Sequence, residues 1–326
     1  MKREEKRFEE RRGSSKKGRE MSVEVVGLGA VNYDILYAVE RIAKGGEEAG
    51  ILGVTKEPGG SAANTIVGLS RLGVSAGFVG VVGSDEAGSQ ILADFRREGV
   101  EARLRREEGE TGTAIGFVDP RGERALYIFP GVNDRLGLAE VEAEKDFLCG
   151  ARFLHTSSFV GKEQLEVQRE LASRLRRRLK PSVHLSFSPG MLCFKHGLED
   201  LVEVVGRSEV VFFSAGELKS LVGEKENYES RAEAILNCGA KIVCVTLGER
   251  GCFVAGAGGE KHLINAASGK GVVDTTGAGD AFAAGFLFGL LHEEGLYECG
   301  KTGNLVASFC IREYGCRSGL PYSLEG

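Results

Sequence analysis

Two aspartates six residues apart, Asp274 and Asp280, bracket two threonines and a glycine-bounded turn in VVDTTGAGDAFAAGF, residues 272–286. The small and apolar residues after Asp280 suit a helix buried on most sides. The turn therefore falls at a helix N-terminus, where the N–H groups of Gly277, Ala278, Gly279 and Asp280 lack intrahelical partners. Such an end, with the helix dipole behind it, binds an anion such as phosphate, and glycine lets the anion approach closely. Asp280 would then stand beside a moving phosphoryl group, placed to take a proton from an attacking hydroxyl. A plainer reading also fits: Asp280 caps a core helix and the glycines make a tight turn. The residues 274–280 alone leave both open, although a carboxylate kept from water is costly unless something uses it.

Elements able to hold such a turn recur along the chain. Apolar, β-prone runs at 23–29, 76–83, 151–158, 182–188, 209–215 and 241–248 alternate with helix-period segments at 61–73, 86–99, 162–178, 196–206 and 227–238. Strands apolar throughout and separated by helices predict a parallel sheet covered on both faces, a three-layer α/β/α domain. Two stretches break the rhythm. Residues 33–58 read as short extended pieces around KGGEEAGI, and TGTAIGFVDPRGERALYIFPG (111–131) reads as a hairpin turning at Pro-Arg-Gly. Both are expected to be strands outside the main sheet, forming a flap over a site or a surface hairpin.

Two other phosphate-binding patterns fail. GLGAVN (27–32) has Asn32 where a dinucleotide fingerprint has its third glycine, with no helix signal after it. SGKG (268–271) has Ile264 and Gly271 where a P-loop needs Gly and Ser or Thr.

The 326 residues, 42% of them hydrophobic, suffice for a large α/β domain. The eight cysteines form no Cys-x-x-Cys pair, and reduced buried thiols in a cytoplasmic protein are expected. The longest apolar run, AFAAGFLFGLL, is far shorter than the roughly 20 residues a bilayer span needs. Residues 1–20 hold nine Lys/Arg against five Glu and read as a disordered, charged leader; their +4 leaves −9 on a remainder whose chain total is −5. An acidic body argues for a small-molecule partner over nucleic acid or membrane.

The 272–286 string closely resembles the C-terminal signature of the ribokinase (PfkB-type) family of carbohydrate kinases. EPGGSAANTIVGLSRLG (57–73) resembles that family's N-terminal signature. The resemblance covers about residues 22–322, so residues 21–326 are expected to be one ribokinase-like domain with a mainly parallel central sheet and a β lid from about 33–58 and 111–131. It implies ATP-dependent phosphorylation of a hydroxymethyl group on a sugar or sugar-like acceptor. A nucleoside kinase of the same fold is the alternative, and a non-catalytic nucleotide or sugar sensor the second. The family also implies Mg2+, in many members K+, and often a homodimer through lid strands.

Carried over residue by residue, the resemblance makes Asp280 the base and Gly277, Ala278 and Gly279 the anion hole. Asn32, Asp34, Gly60, Ser61 and Asn64 match acceptor-binding positions, and Arg124 lies where lids reach the substrate. Thr246, Gly248, Gly251 and Asn304 match nucleotide contacts. Glu217 matches the family's carboxylate that holds magnesium through water, while Ser214 replaces its asparagine and puts that nucleotide contact in doubt. Asp274, Thr276, Glu313 and Gly315 match a monovalent-cation site. Tyr33, Phe117, Tyr127 and Phe129 are available as a shelf for a nucleoside base.

Overall fold

A computed structural model describes residues 23–177, 183–194, 197–223, 227–267 and 271–324. The charged leader at 1–20 and most of SGKG lie outside the described residues. In chain order the strands are β1 (Val25–Leu28), β2 (Asn32–Val39), β3 (Ile51–Gly59), β4 (Ala76–Gly83), β5 (Glu101–Glu107), β6 (Gly112–Val118) and β7 (Arg124–Phe129). They continue as β8 (Phe153–Ser157), β9 (His184–Ser188), β10 (Ser208–Ser214), β11 (Ile242–Thr246), β12 (Cys252–Gly256) and β13 (Lys261–Ile264).

Nine of these, among the described residues, form one sheet in the order β13-β12-β11-β10-β9-β8-β1-β4-β5. Its pairs are parallel from β11 to β5 and antiparallel only at β11/β12 and β12/β13. Every residue of β1, β4 and β8 is buried, as expected of strands covered on both faces. Alternate side chains enter different cores. Val25, Phe78 and Phe212 join helices Ser61–Arg71 and Ala278–Leu291 on one face. Val26, Val79 and Phe213 join helices Lys162–Arg177, Gly197–Val205 and Tyr228–Asn237 on the other. Three α/β/α layers result.

The helix that opens at Ala278 is tied to the sheet by aromatic packing. Phe212 meets Phe282 and Phe286 edge-on, with ring centroids 6.1 and 5.6 Å apart. Burying each such ring contributes about 1.5–3 kcal/mol.

From β1 the strands proceed through β4 to β5 on one side, and then from β8 to β11 on the other. The order thus reverses between β1 and β8, and open α/β sheets bind ligands in the crevice at the carboxyl ends of such strands. Helix Ser61–Arg71 begins there: the Ala62 N–H donates to Ser157 Oγ at the end of β8, at 3.1 Å.

The remaining four strands form a second sheet, β3-β2-β6-β7. The stretch expected to hold short extended pieces makes two long antiparallel strands, β2 and β3, of eight and nine residues. Beyond β1 the chain enters β2 at Asn32, where a dinucleotide-binding unit would start a helix. The expected hairpin is β6/β7. Its turn is organised by Asp119, whose Oδ1 accepts the N–H groups of Arg121 at 2.8 Å and Glu123 at 3.1 Å. Three strands escaped the sequence reading. β5 (EARLRRE) carries charges on a sheet edge and lacks an apolar run, and β12 and β13 form an antiparallel pair beyond the alternating units.

Candidate active site

The turn before Asp280 has the conformation its glycines imply. Gly277 is the N-cap of helix Ala278–Leu291 with φ 78°, a left-handed backbone, and a Cβ there would come within 2.9 Å of Cys316 Cα. At Gly279 a Cβ would meet no atom within 4 Å. The first glycine shapes the turn; the second keeps open the space at the helix end.

Asp280, in the first helical turn, reaches across to the other helix N-terminus. Its Oδ1 accepts from Ser61 Oγ at 2.7 Å and its Oδ2 from Asn64 Nδ2 at 2.9 Å. Ser61 and Asn64, three residues apart on a helix, share a face. Burial pushes the Asp280 carboxyl up to about 6, with the Asn64 and Ser61 hydrogen bonds and the Arg124 charge pulling against it. The group is ionised at neutral pH, yet basic enough to accept a proton.

The orientation of Asn64 is fixed from behind. Arg317 Nε donates to Asn64 Oδ1 at 2.8 Å, which turns the amide nitrogen toward Asp280. Arg317 is buried, paired with Asp94 and bonded to the Gly59 carbonyl at 3.3 Å. Sequence reading missed it, because nothing in the local string YGCRSG connects it to a helix 253 residues away.

Asp274 is a loop tie. Its Oδ1 accepts the Thr276 N–H at 2.9 Å and the Thr276 hydroxyl at 2.7 Å, and its Oδ2 accepts the Gly315 N–H at 3.0 Å. Among the described residues no buried oxygen of Asp274 or Thr276 is left unpartnered, and Glu313 is exposed. Of the four residues matched to a monovalent cation, Asp274, Thr276 and Gly315 are thus bonded together, and Glu313 lies two residues before Gly315. Arg124, at the start of β7, reaches over the same turn and donates to Thr276 Oγ1 at 3.1 Å. The small sheet is therefore closed onto the helix end.

The acceptor positions lie on the inward face of that sheet. Asn32 and Asp34 alternate with Tyr33 along β2 and are 8% and 6% exposed. Asn133, also missed in the sequence, donates to Asn32 Oδ1 at 3.0 Å. Asp34 keeps one buried oxygen, Oδ1, without a partner. Burial raises its carboxyl to about 7, against the pull of Arg317. The double glycine of EPGGSAAN has two separate causes. A Cβ at Gly59 would lie 2.1 Å from Asp34 Oδ2, while Gly60 has φ 104° and would strike the Ala30 carbonyl at 2.4 Å. Of the five residues matched to the acceptor, Ser61 and Asn64 hold Asp280 in this structure, Gly60 shapes the backbone, and Asp34 has a free buried valence.

On the far side of the helix end, Ser214 and Glu217 form a capping box. Ser214 Oγ accepts the Glu217 N–H at 3.2 Å, and Glu217 Oε2 accepts the Ser214 N–H at 2.7 Å. The serine in place of asparagine thus serves as an N-cap, legible in Ser-Ala-Gly-Glu as it stands. Glu217 is near enough for its charge to raise the Asp280 carboxyl. Thr246 ends β11, and Gly248 and Gly251 bound the next turn with φ 63° and 87°. Asn304 braces the backbone: its Nδ2 donates to the carbonyls of Ile264 at 3.2 Å and Asn265 at 3.0 Å.

The proposed aromatic shelf is not on the acceptor side. In the register of the small sheet, Tyr33 pairs with Thr113, Thr113 with Phe129, and Tyr37 with Phe117, all opposite in pleat to Asn32 and Asp34. Tyr127, which pairs with Ile115, and Phe129 are 65% and 49% exposed. Strand alternation, which the sequence does show, places Tyr33, Phe117, Tyr127 and Phe129 on the outer face.

A mostly parallel α/β body with a helix N-terminus at its switch point and a second, smaller sheet is the architecture of the family of ribokinase-fold structures. The chain belongs to this family: the family model described as pfkB family carbohydrate kinase matches residues 22–322. It is a phosphotransferase with an alcohol group as acceptor. An uncharacterized sugar kinase of Archaeoglobus fulgidus is 41% identical over 260 residues, spanning 79% of this chain and 100% of that protein. An ATP-dependent ribose-1-phosphate kinase of Halopiger xanaduensis is 30% identical, over 91% of this chain and 94% of that one. Among solved structures, a probable sugar kinase of Rhizobium etli (26% identity, TM-score 0.81) covers 92% of this chain and 96% of its own. An adenosine kinase of Sinorhizobium meliloti (27%, TM-score 0.81) covers 92% and 97%. No helix of the described residues is long and apolar enough to cross a membrane.

Proposed function

We propose that this sugar kinase transfers the γ-phosphate of ATP to a hydroxymethyl group of a sugar or sugar-like acceptor, with Asp280 as the base. The observation that carries this reading is Asp280 gripped by Ser61 and Asn64, one residue beyond the open space at Gly279. The phosphoryl group would occupy that space against the N–H groups of Gly279 and Asp280, the Ala278 N–H being bonded to the Thr275 carbonyl at 3.2 Å, with Arg124 closing over it from the small sheet. Asp280 takes the proton of the attacking hydroxyl as the oxygen–phosphorus bond forms. The pair of bonds from Ser61 and Asn64 keeps the carboxylate aimed and mostly ionised at neutral pH.

Asp34, with its unpartnered buried oxygen, and Asn32 suit vicinal hydroxyls of the acceptor. Closure of the small sheet excludes water from the transfer. The nucleotide would lie toward Thr246, Gly248 and Gly251, with Glu217 facing the magnesium it carries. That ion would neutralise charge on the phosphates.

The adenosine kinase likeness keeps nucleosides as the alternative acceptors. The outward position of the four aromatic residues favours a sugar, because the inner face of the small sheet offers aliphatic and polar contacts instead. The exposed outer face, with Ile51, Leu52, Val54, Tyr127 and Phe129, would pair two copies of the chain.

The test is phosphate transfer from ATP, with ADP as a second donor, to a panel of pentoses, hexoses and nucleosides. Asp280→Asn is expected to retain nucleotide binding and to lose about 10³-fold in kcat. Wild-type turnover in Asp280→Asn would overturn the base assignment. Tight ATP binding with no turnover on any acceptor would make the protein a sensor.

A further inference from the structure

The short turn Gly315–Arg317 holds three parts of the site at once. The Gly315 N–H holds Asp274, which fixes Thr276 and the entry to the helix end. The Arg317 side chain holds Asn64, which holds Asp280. The residue between them, Cys316, is buried under Gly277, whose missing Cβ leaves room for it. From the small sheet Asp34 Oδ2 accepts from Cys316 Sγ at 3.8 Å and the Gly59 carbonyl from Arg317 at 3.3 Å, and the backbone of the turn is gripped by Glu57. The Cys316 N–H donates to Glu57 Oε1, and the same carboxylate is so close to Gly315 that a Cβ there would lie 2.1 Å from it. Glu57 is on β3, directly opposite Asp34 on β2. It is the one side chain whose bond joins the acceptor-bearing sheet to the backbone of this turn, among the contacts described.

We propose that Glu57 is a positioning residue, a latch by which the closed small sheet sets the Gly315–Arg317 turn and through it the aim of Asp280. The turn has no regular secondary structure to hold it, so its place is set by its hydrogen bonds. A carboxylate accepting a backbone N–H is the stronger, charge-assisted kind of bond. Losing it loosens the backbone of the turn and so the placement of the Arg317 side chain on Asn64, while the Arg317 bonds to Asp94 and Gly59, Asp280, Ser61 and the open space at Gly279 remain present. The prediction is therefore a fall in turnover with little change in affinity for ATP. This inference rests on the kinase reading, and the experiment has one arm that does not.

That arm is hydrogen–deuterium exchange of the full-length protein without nucleotide. In Glu57→Ala the amides of 315–317 are expected to exchange about tenfold faster or more, with the helix Phe282–Leu291 unchanged. Glu57→Asp, one methylene shorter, should do the same if the alanine variant fails to fold. Glu57→Gln, which still offers a carbonyl oxygen at the same reach, should restore slow exchange. In the kinetic arm, with ATP and the best acceptor of the panel above, Glu57→Ala is expected to lose about 10- to 100-fold in kcat with KM for ATP within about twofold. Glu57→Gln should recover most of that loss. Unchanged exchange at 315–317 in both Glu57→Ala and Glu57→Asp overturns the latch, and so does faster exchange with wild-type kcat. A wild-type protein inactive on the whole panel overturns the kinase reading instead, and the exchange arm then decides the latch by itself.

Discussion

The large and the small sheet handle exposure in opposite ways. In the large sheet β1, β4 and β8 are buried along their whole length, and a polar pair inside it, His155 and Ser186, is bonded to itself at 2.9 Å. In the small sheet one face carries Asn32, Asp34 and Arg124 toward the body, while the other leaves Tyr127 and Phe129 open. Under the proposed function the first would frame a phosphate site built from backbone N–H groups, and the second would place side chains over that site. The proposal thus puts phosphate chemistry at the large sheet's helix end and acceptor choice on the small sheet, with Glu57 joining the two.

The sharpest way to break this division is within the turn itself. Gly279→Ala puts a methyl group into the open space and meets no protein atom, so it should leave thermal stability unchanged and cut kcat by about 10²-fold. A variant with normal kcat would remove the anion hole from this helix end. On the small sheet, Asp34→Asn should raise KM for the acceptor about 10- to 100-fold while KM for ATP stays put, because the acceptor's hydroxyls lose a charged partner. Equal effects on both substrates would show that the two sheets do not divide the work.

The pH dependence separates the two buried acids. Asp280 must be ionised to act, and burial sets its carboxyl at about 6, so kcat should fall tenfold per pH unit below about pH 6 and level off above pH 7. Asp34→Asn should keep that acid limb. A limb that disappears with Asp34 would transfer the controlling titration to the small sheet.

Stability should show the smallest effect. The folded Asp34 carboxyl, at about 7, holds a proton that the unfolded chain gives up near its ordinary 3.8. Its contribution is fully present below about pH 4 and is lost as pH rises through 7. Asp34→Asn should therefore raise Tm at pH 8 by a few degrees and leave Tm at pH 4 nearly unchanged, since a tenfold difference in proton affinity between the folded and unfolded chain is worth about 1.4 kcal/mol. A lower Tm at pH 8 would mean that the ionised group is stabilised in the fold.

Much of the frame was legible because it is periodic. Residues 76–83 read as a strand from their apolar run and form β4 with the same bounds. The signatures at 57–73 and 272–286 placed the two helix ends correctly along the chain. What they left out was the partnering. Ser61 and Asn64, expected to be acceptor contacts, also hold Asp280, and Asn304, expected to be a nucleotide contact, also braces the end of β13. Asn133 and Arg317 carried no local signal, and Glu57 stood in the sequence only as the first residue of the 57–73 stretch, with no role attached.

By itself the sequence determined the layered α/β order, the helix end after Thr276 and the two glycines that shape it, because each follows from local pattern and backbone sterics. The tertiary structure decided which residues serve one another: Arg317 holds Asn64, Glu57 holds Cys316, and the aromatic residues face away from the site. Those choices depend on strand register and on bonds between residues hundreds of positions apart, and no short stretch of sequence contains both partners.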